Sequence, residues 1–227
     1  MLPHDYWQAL TPAPARLGPT ASGGFCAGLA DGQGLDLPVR LLADGQHGLA
    51  SLIINQASFA VQAALAADLA ARLLPFAPEV VVGLPTLGLT LAEGVARQLG
   101  HDRYVPFGTS RKFWYREELS VPLSSITTPD QKKRLYVDPR LVPLIEGRRV
   151  ALIDDVLSSG ASIIAGLKLL ASVGITPVVV GAAMLQTRRW CGRIEEMVPG
   201  LAVVGCFSTP LLRRTEAGDW RVDAADQ

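Results

Sequence analysis

The residues whose types and spacing best suit chemistry lie at 150–162, in the stretch VALIDDVLSSGAS. Asp154 and Asp155 end an apolar run, and a turn of small residues follows: Ser158, Ser159, Gly160, Ala161 and Ser162. Adjacent carboxylates on a buried strand each raise the cost of ionising the other, so we expect a ligand to hold them there. Backbone N–H groups and hydroxyls of the turn form a cradle for an anion at a helix N-terminus. The two features together predict a ribose 5-phosphate ligand.

Short apolar runs alternate with helical segments after residue 50. Strands are predicted at 80–84, 103–107, 149–154, 177–185 and 201–207, and helices at 51–74, after the loop 85–88 up to Gly100, and at 163–173. This order predicts right-handed βαβ units, an α/β fold with a five-stranded, mainly parallel sheet flanked by helices. Ligands of such sheets bind beyond the carboxyl ends of the strands, where Asp154 and Asp155 lie.

The two ends of the chain differ from this pattern. After an irregular lead-in over residues 1–19, Asp-Gly pairs at 31–32 and 44–45 predict hairpin turns, and the tail after 208 predicts another strand pair. We therefore expect an N-terminal segment 1–50 and a C-terminal segment 209–227 that form a small β-containing hood over a core at 51–208. The long connection after residue 108 predicts a functional mobile loop at about 109–134.

Composition excludes several classes of protein. The 227 residues include 21 basic and 21 acidic ones, so no overall charge favours binding to nucleic acid or a membrane surface. Three separate cysteines without a CxxC pair, and three histidines without ligand spacing, argue against a metal site and indicate reduced thiols. Gln62, Asp68 and Arg72 interrupt the apolar stretch 57–74, and the N-terminus lacks a signal-peptide pattern. We expect a soluble, cytoplasmic protein without a membrane span.

The stretch at 150–162 resembles the 5-phosphoribosyl-1-pyrophosphate (PRPP) signature of the type I phosphoribosyltransferases. That signature has four largely apolar residues, two acids and a small Thr/Ser/Gly-rich loop. By this resemblance, Asp154 and Asp155 contact the ribose hydroxyls, and residues 158–162 bind the 5′-phosphate. The resemblance also implies Mg²⁺ that is bound through PRPP and water without direct protein ligands, and assembly as a homodimer.

Two more segments are similar to the same family. In GLPTLG, at 83–88, Thr86, Leu87 and Gly88 match the loop that binds the pyrophosphate of PRPP, although Leu87 stands where several salvage enzymes have a basic residue. In TSRKFWYREE, at 109–118, Arg111 and Lys112 match the pair that opens a mobile loop in adenine and orotate phosphoribosyltransferases. Cations placed there stabilise the charge of a departing pyrophosphate.

The remainder of that loop matches the family less closely. Tyr115 occupies the position of a lysine in the orotate-type pattern, which makes the next residue, Arg116, a candidate substitute. A loop glutamate, Glu117 or Glu118, is a candidate base, as in adenine-type enzymes. The resemblance thus assigns PRPP binding to Arg111 and catalysis to Lys112, Arg116 and Glu118. The aromatic residues 113–115 either close over the ligand or form a subunit interface.

The resemblance implies a phosphoribosyltransferase that joins PRPP to a nucleobase, with a purine favoured by the Arg-Lys loop. The alternative is a non-catalytic regulator of the same fold that senses PRPP or a nucleotide. A retained Arg-Lys loop favours the enzyme, and the neutral chain makes a nucleic-acid partner unlikely. A dinucleotide-binding protein is not supported, because no strand is followed by GxGxxG. Candidate contacts to the base are Arg40, Asn55, Gln56, Trp190 and Trp220.

Overall fold

The structure is a computed structural model that describes residues 2–21, 23–123 and 133–224. Two large β-sheets, a parallel one and an antiparallel one, and a third sheet of two strands organise these residues. In chain order the strands and helices are β1 (Leu10–Thr11), β2 (Gly18–Pro19), β3 (Gly24–Gly28), β4 (Gly34–Leu41), β5 (His47–Ala50), α1 (Phe59–Leu73), β6 (Val80–Gly83), α2 (Gly88–Gln98), β7 (Val105–Pro106), β8 (Ser120–Pro122), β9 (Arg134–Tyr136), β10 (Val150–Leu157), α3 (Ala161–Ser172), β11 (Val179–Gln186), α4 (Cys191–Met197), β12 (Val203–Thr209), β13 (Leu211–Arg214) and β14 (Trp220–Val222).

The predicted five-stranded parallel sheet is confirmed, in the order β12-β11-β10-β6-β7. Its strands are apolar on both faces because helices cover both. Val81 and Ile153 belong to the buried cluster that contains α1 and α2, whereas Val82 and Leu152 belong to the cluster that contains α3. Since all five strands run in one direction, the loops after them meet at one edge of the sheet.

Several predicted boundaries were wrong. β10 continues to Leu157, because Val156 and Leu157 still pair with β11, so the acid pair lies inside the strand and not at its end. α1 begins at Phe59 and not at residue 51, because the Ser58 hydroxyl accepts a hydrogen bond from the Val61 N–H at 3.2 Å and caps the helix there. The short helix α4 was not predicted.

The predicted hood is also confirmed. An antiparallel sheet has the order β14-β13-β5-β4-β3-β2, with β1 paired to β4, and we call these strands the hood sheet. The C-terminal strand β13 pairs directly with the N-terminal strand β5, with Leu211 opposite Leu49. The lead-in is more ordered than expected, because the Trp7 side chain is buried and its Nε1 donates to the Ser51 carbonyl at 3.0 Å.

The connection between β7 and β10 is not a simple loop. It contains the antiparallel pair β8–β9 and a 3₁₀ segment, Pro139–Leu144. The predicted mobile loop at about 109–134 falls partly on residues 124–132, which lie outside the described residues.

The helical segment Phe59–Phe76 has the length and apolar composition of a membrane span. Its Leu65, Leu69 and Leu73 side chains are fully buried in the cluster shared with the sheet, however, and Arg72 pairs with Asp68 at 2.8 Å. This ion pair is the one expected from the i,i+4 spacing. We therefore interpret the segment as a core helix.

Candidate active site

The acid pair lies on β10, the central strand of the parallel sheet. Asp154 is 6% exposed, and its Oδ1 accepts a hydrogen bond from the Asp155 N–H at 2.9 Å. Burial raises the pKa of Asp154 well above its ordinary value, and the charge of Asp155 raises it further. Burial also raises the pKa of Asp155. Hydroxyl donors from a ligand would stabilise the ionised pair and offset the free-energy cost of burying its charge.

The loop after β6 meets the acid pair. A Cβ atom added to Gly88 would lie 2.7 Å from Asp154 Oδ1 and 2.9 Å from Asp154 Cα. Gly88 is therefore the residue that lets the start of α2 approach β10. Thr86 is exposed and Leu87 is half-buried. The structure thus brings Gly88, the last residue of the loop assigned by resemblance to pyrophosphate, into contact with Asp154.

The small-residue turn surrounds a compact cavity at the start of α3. The cavity has a volume of about 110 Å³ and is lined by Asp154 and by residues 156–163, among them all five predicted phosphate ligands. Pockets that hold whole small molecules have about 300–1,000 Å³, so this space suits a single tetrahedral group. Gly160 has φ +78°, which turns the chain into α3 and places the N-terminus of the helix at the cavity, where the Ala161 N–H donates to Ser159 Oγ at 3.4 Å.

Side chains from the α4 region hold the turn in place. Arg193 Nη1 donates to the Ser159 carbonyl at 2.8 Å. A Cβ atom on Gly160 would lie 3.2 Å from Trp190 Cβ, so Trp190 packs directly against the turn. Trp190 Nε1 also donates to the Thr187 carbonyl at 3.1 Å, which links the turn to the end of β11.

A second cleft, of about 410 Å³, opens beyond the ends of β11 and β12. Its lining includes Thr187, Trp190, Cys191, Thr209 and Pro210. Thr187 has φ +56°, an uncommon conformation for a β-branched residue, and its N–H donates to the Thr209 carbonyl at 2.8 Å. The Thr209 hydroxyl is buried and has no hydrogen-bond partner among the described residues. A buried unpaired hydroxyl in a cleft indicates a polar ligand or water.

The predicted catalytic cations and acid are not gathered at the acid pair. Arg111 lies 3.6 Å from Glu117, which also pairs with Arg134 at 3.1 Å. Lys112, Arg116 and Glu118 are exposed, and within the described part of the chain no hydrogen bond or ion pair joins their side chains to β10 or to the small-residue turn.

The aromatic residues of this loop dock onto the segment before β10. Trp114 Nε1 donates to Asp138 Oδ2 at 3.2 Å, and Arg140 lies over the Trp114 ring at 4.7 Å. Tyr115 contacts the Tyr136 ring, whereas Phe113 is 96% exposed. The loop is therefore anchored through Trp114, whereas Phe113 points into solvent.

Of the five candidate base contacts, only Trp190 lines the cleft at the ends of β11 and β12. Trp220 packs on Gly48 in the hood sheet, and Arg40, Asn55 and Gln56 are exposed. The sequence reasoning missed Thr187, Thr209 and Arg193. A usable signal was present for the two threonines, because each lies two positions after the end of a predicted parallel strand.

Comparison with known proteins assigns the family. Residues 49–196 match the family model described as "Phosphoribosyl transferase domain", so the chain belongs to the phosphoribosyltransferase family. The matched residues include the acid pair, the small-residue turn and the loop after β6.

Individual relatives are more distant. The chain is 27% identical over 152 residues to xanthine phosphoribosyltransferase of Chloroflexus aurantiacus, an alignment of 63% of this chain and 66% of that protein. It is 35% identical over 119 residues to the bifunctional protein PyrR of Mycolicibacterium paratuberculosis, covering 50% and 57% of the two chains. The chain thus spans less than two thirds of the length of these relatives. The solved adenine phosphoribosyltransferase of Thermoanaerobacter pseudethanolicus shares the fold, with a TM-score of 0.54, 20% identity and coverage of 66% and 81%.

Proposed function

We propose that the chain transfers the 5-phosphoribosyl group of PRPP to a nucleobase, with a purine favoured, and releases a nucleoside 5′-monophosphate and pyrophosphate. The observation that carries this proposal is the acid pair, buried Asp154 and half-buried Asp155, beside a single-anion cavity. The similarity to a xanthine phosphoribosyltransferase supports a purine as the acceptor.

The acid pair and the turn bind the two ends of the sugar phosphate. The ribose hydroxyls donate hydrogen bonds to the carboxylates of Asp154 and Asp155. The 5′-phosphate accepts hydrogen bonds from the backbone N–H groups and hydroxyls of residues 158–162, at the positive end of α3. Because Arg193 and Trp190 fix the turn, the sugar is held in one orientation.

The pyrophosphate leaves on the side of the loop 86–88. The bond from the anomeric carbon to the pyrophosphate oxygen breaks, and its electron pair stays on that oxygen. Backbone N–H groups of Thr86, Leu87 and Gly88 donate to the pyrophosphate, and we propose that Arg111, Lys112 and Arg116 move towards it when PRPP binds. Arg111 has to exchange Glu117 for the pyrophosphate in that step.

Mg²⁺ fits this arrangement as a companion of PRPP. No cluster of three or more acidic, histidine or cysteine side chains occurs in the described residues, so the protein offers no complete set of ligands. Asp154 and Asp155 are the acids beside the sugar site, and Mg²⁺ commonly keeps water and phosphate oxygens with one or two carboxylates. When bound, the ion would neutralise charge that develops on the pyrophosphate.

The base binds in the cleft formed by residues after β11 and β12. Trp190 offers an aromatic edge to a planar ring, and the Thr209 hydroxyl is available to a ring nitrogen or exocyclic group. A base nitrogen forms the new bond to the anomeric carbon with inversion, and its proton passes to a carboxylate. Glu118 is the candidate, since Glu117 is occupied by Arg111 and Arg134. A cytoplasmic location and a homodimer belong to the same proposal.

Two observations favour a second candidate, a sensor of PRPP or nucleotide without catalysis. The match to the bifunctional protein PyrR has the higher identity of the two relatives, and among the described residues no hydrogen bond or ion pair joins the loop cations to the acid pair. A sensor needs the sugar and phosphate contacts but no stabilisation of a leaving group.

Pyrophosphate release from PRPP and Mg²⁺, measured with adenine, guanine, hypoxanthine, xanthine, uracil and orotate in turn, separates the two. Release with a purine supports the enzyme. Calorimetric binding of PRPP without release by any base supports the sensor. In both cases Asp154→Asn with Asp155→Asn is expected to abolish PRPP binding in a folded protein, and the exposed control Asp102→Asn is expected to bind normally.

A further inference from the structure

The far end of the hood sheet contains a cleft that the proposed reaction does not use. It has a volume of about 660 Å³ and lies between the β4–β5 turn and the β13–β14 turn. Its lining includes Gln46, Arg213, Arg214, Thr215, Glu216 and Arg221. Pro210 lines the cleft at the ends of β11 and β12, where we propose that the base binds. Arg214 lies four residues further along the chain, about 13 Å of extended strand away. We call the space lined by Arg213, Arg214 and Arg221 the arginine cleft.

Like charges face each other in the arginine cleft. Arg213 of β13 and Arg221 of β14 are directly opposite in the antiparallel pair, so their side chains leave the sheet on the same face. Such a pair of like charges destabilises a sheet. Other arginines of the chain, such as Arg72, Arg97 and Arg140, have a carboxylate within 2.8 Å. Among the described residues no carboxylate pairs with Arg213, Arg214 or Arg221.

Two acids near this hairpin, Asp44 and Asp223, are bound to His47. His47 lies opposite Arg213 on the other side of β13, and it is bound to Asp44 at 2.7 Å and to Asp223 at 3.2 Å. Glu216 is the acid that lines the cleft itself. Because the whole chain has equal numbers of basic and acidic residues, this concentration of positive charge is local.

Thr215 adds an unpaired hydroxyl to the same place. It lines the cleft, and its Oγ1 atom is buried without a hydrogen-bond partner among the described residues. Its backbone N–H is used in the turn, where it donates to the Asp219 carbonyl at 2.8 Å. The guanidinium groups of Arg213 and Arg221, which share one face, and of Arg214, the next residue of β13, are the donors that suit phosphate oxygens, since the planar fork of arginine matches a phosphate bidentately.

Size decides between a small anion and a nucleic acid. The volume of the cleft lies within the range of about 300–1,000 Å³ that is usual for small-molecule sites. Nucleic-acid binding commonly uses roughly 6–10 phosphate contacts along an extended surface, and the cleft offers three arginines from one hairpin. We propose that the arginine cleft is a second binding site for a compact ligand with a chain of two or more phosphates, separate from the proposed active site.

The test is direct binding of inorganic tripolyphosphate, measured by calorimetry without Mg²⁺. The variant is Arg213→Gln with Arg221→Gln, and the matched control is Arg97→Gln with Arg103→Gln on the exposed end of α2 and the residues after it. We expect the wild type and the control to share one binding step that the cleft variant weakens by about tenfold or more, because two charged hydrogen-bond donors are lost. Equal affinity in all three proteins overturns the proposal.

Thermal unfolding provides an independent measurement on the same proteins. Without ligand, the cleft variant is expected to melt at the same temperature as the wild type or higher, because the opposed charges are gone. Tripolyphosphate is expected to raise the melting temperature of the wild type more than that of the variant. If the double variant is less stable than the wild type, the repulsion argument is wrong. Arg221→Gln alone, on the outer strand, then repeats the binding test with a partial loss expected.

Two further ligands identify the source of the phosphates. Adenosine triphosphate that binds as tightly as tripolyphosphate supports recognition of the phosphate chain alone, and tighter binding supports a nucleotide. Binding of a short single-stranded RNA through the same arginines, with no binding of tripolyphosphate, overturns the small-ligand assignment. These readouts do not depend on phosphoribosyl transfer, so failure of the proposed enzyme activity leaves them unaffected.

Discussion

Substitution of Gly88 by alanine tests the geometry around the acid pair. The new Cβ atom would lie 2.9 Å from Asp154 Cα, whereas ordinary contacts of a Cβ atom begin at about 3.4 Å. Because that Cα atom belongs to β10, which is paired with strands on both sides, the neighbour cannot rotate away. Either α2 or the acid pair must move by about 0.5 Å, the difference between these two distances.

A shift of this size matters more for binding than for folding. Extra atoms in a packed site cost about 1–3 kcal/mol, and alanine in a helix recovers up to about 1 kcal/mol relative to glycine. Ligand-binding groups need placement within about 0.5 Å, so we expect Gly88→Ala to weaken PRPP binding by about tenfold or more. Isothermal calorimetry with PRPP and Mg²⁺ measures this change, and thermal unfolding measures the stability.

Gly94→Ala in the same helix is the matched control. Its Cβ atom would lie 2.8 Å from the Cβ atom of Ala66 in α1, so it strains the contact between helices without touching Asp154. We expect lower stability but unchanged PRPP affinity. Normal binding of PRPP by Gly88→Ala, or an equal loss in both variants, would refute the assigned role of the Gly88 contact.

Three shorter predictions concern the loop and the hood. Lys112→Ala should lower the rate of pyrophosphate release by about 100-fold while calorimetric affinity for the nucleotide product changes little, and equal losses would make Lys112 a plain binding residue. Arg140 holds the pKa of Asp138 well below its usual range, and the ionised carboxylate anchors Trp114. Asp138→Asn should therefore free the loop, and trypsin should cut after Lys112 about tenfold faster than in the wild type. An unchanged cleavage rate would contradict this anchor. The hydrogen bond that His47 Nδ1 donates to the Asp44 carboxylate raises the pKa of His47. The stabilising effect of this hydrogen bond is therefore present below the unfolded pKa of about 6.5 and is lost as pH rises through the folded pKa. The melting temperature of the wild type should therefore fall more steeply from about pH 6 to about pH 9 than that of His47→Gln, and parallel curves would count against this pairing.

The sequence was informative where one short segment contains the whole signal. The apolar run, the acid pair and the small residues at 150–162 lie in consecutive positions, so their strand, turn and helix followed from local rules. The alternation of apolar runs and helices likewise predicted the parallel sheet. The Asp-Gly turns predicted the hairpins of the hood sheet.

The contacts missed by the sequence reasoning join distant segments. Arg193 reaches the Ser159 carbonyl from another helix. The space beside Gly88 is too narrow for a Cβ atom only because α2 packs on β10. The ion pair between Arg111 and Glu117 depends on how the loop docks, which no periodicity encodes. Strand β10 was predicted too short because two carboxylates normally end a strand, whereas pairing with β11 continues the strand past them.

The pairing of β13 with β5 has a consequence for synthesis on the ribosome. Strand β5 is made early, but its partner at 211–214 emerges only after the whole parallel sheet. Until then one edge of the N-terminal strands remains open, and non-local pairing of this kind is slow to form. We expect the part of the protein that contains the arginine cleft to be the last to acquire protection in pulse-labelled hydrogen exchange, after the sugar-phosphate site is already complete.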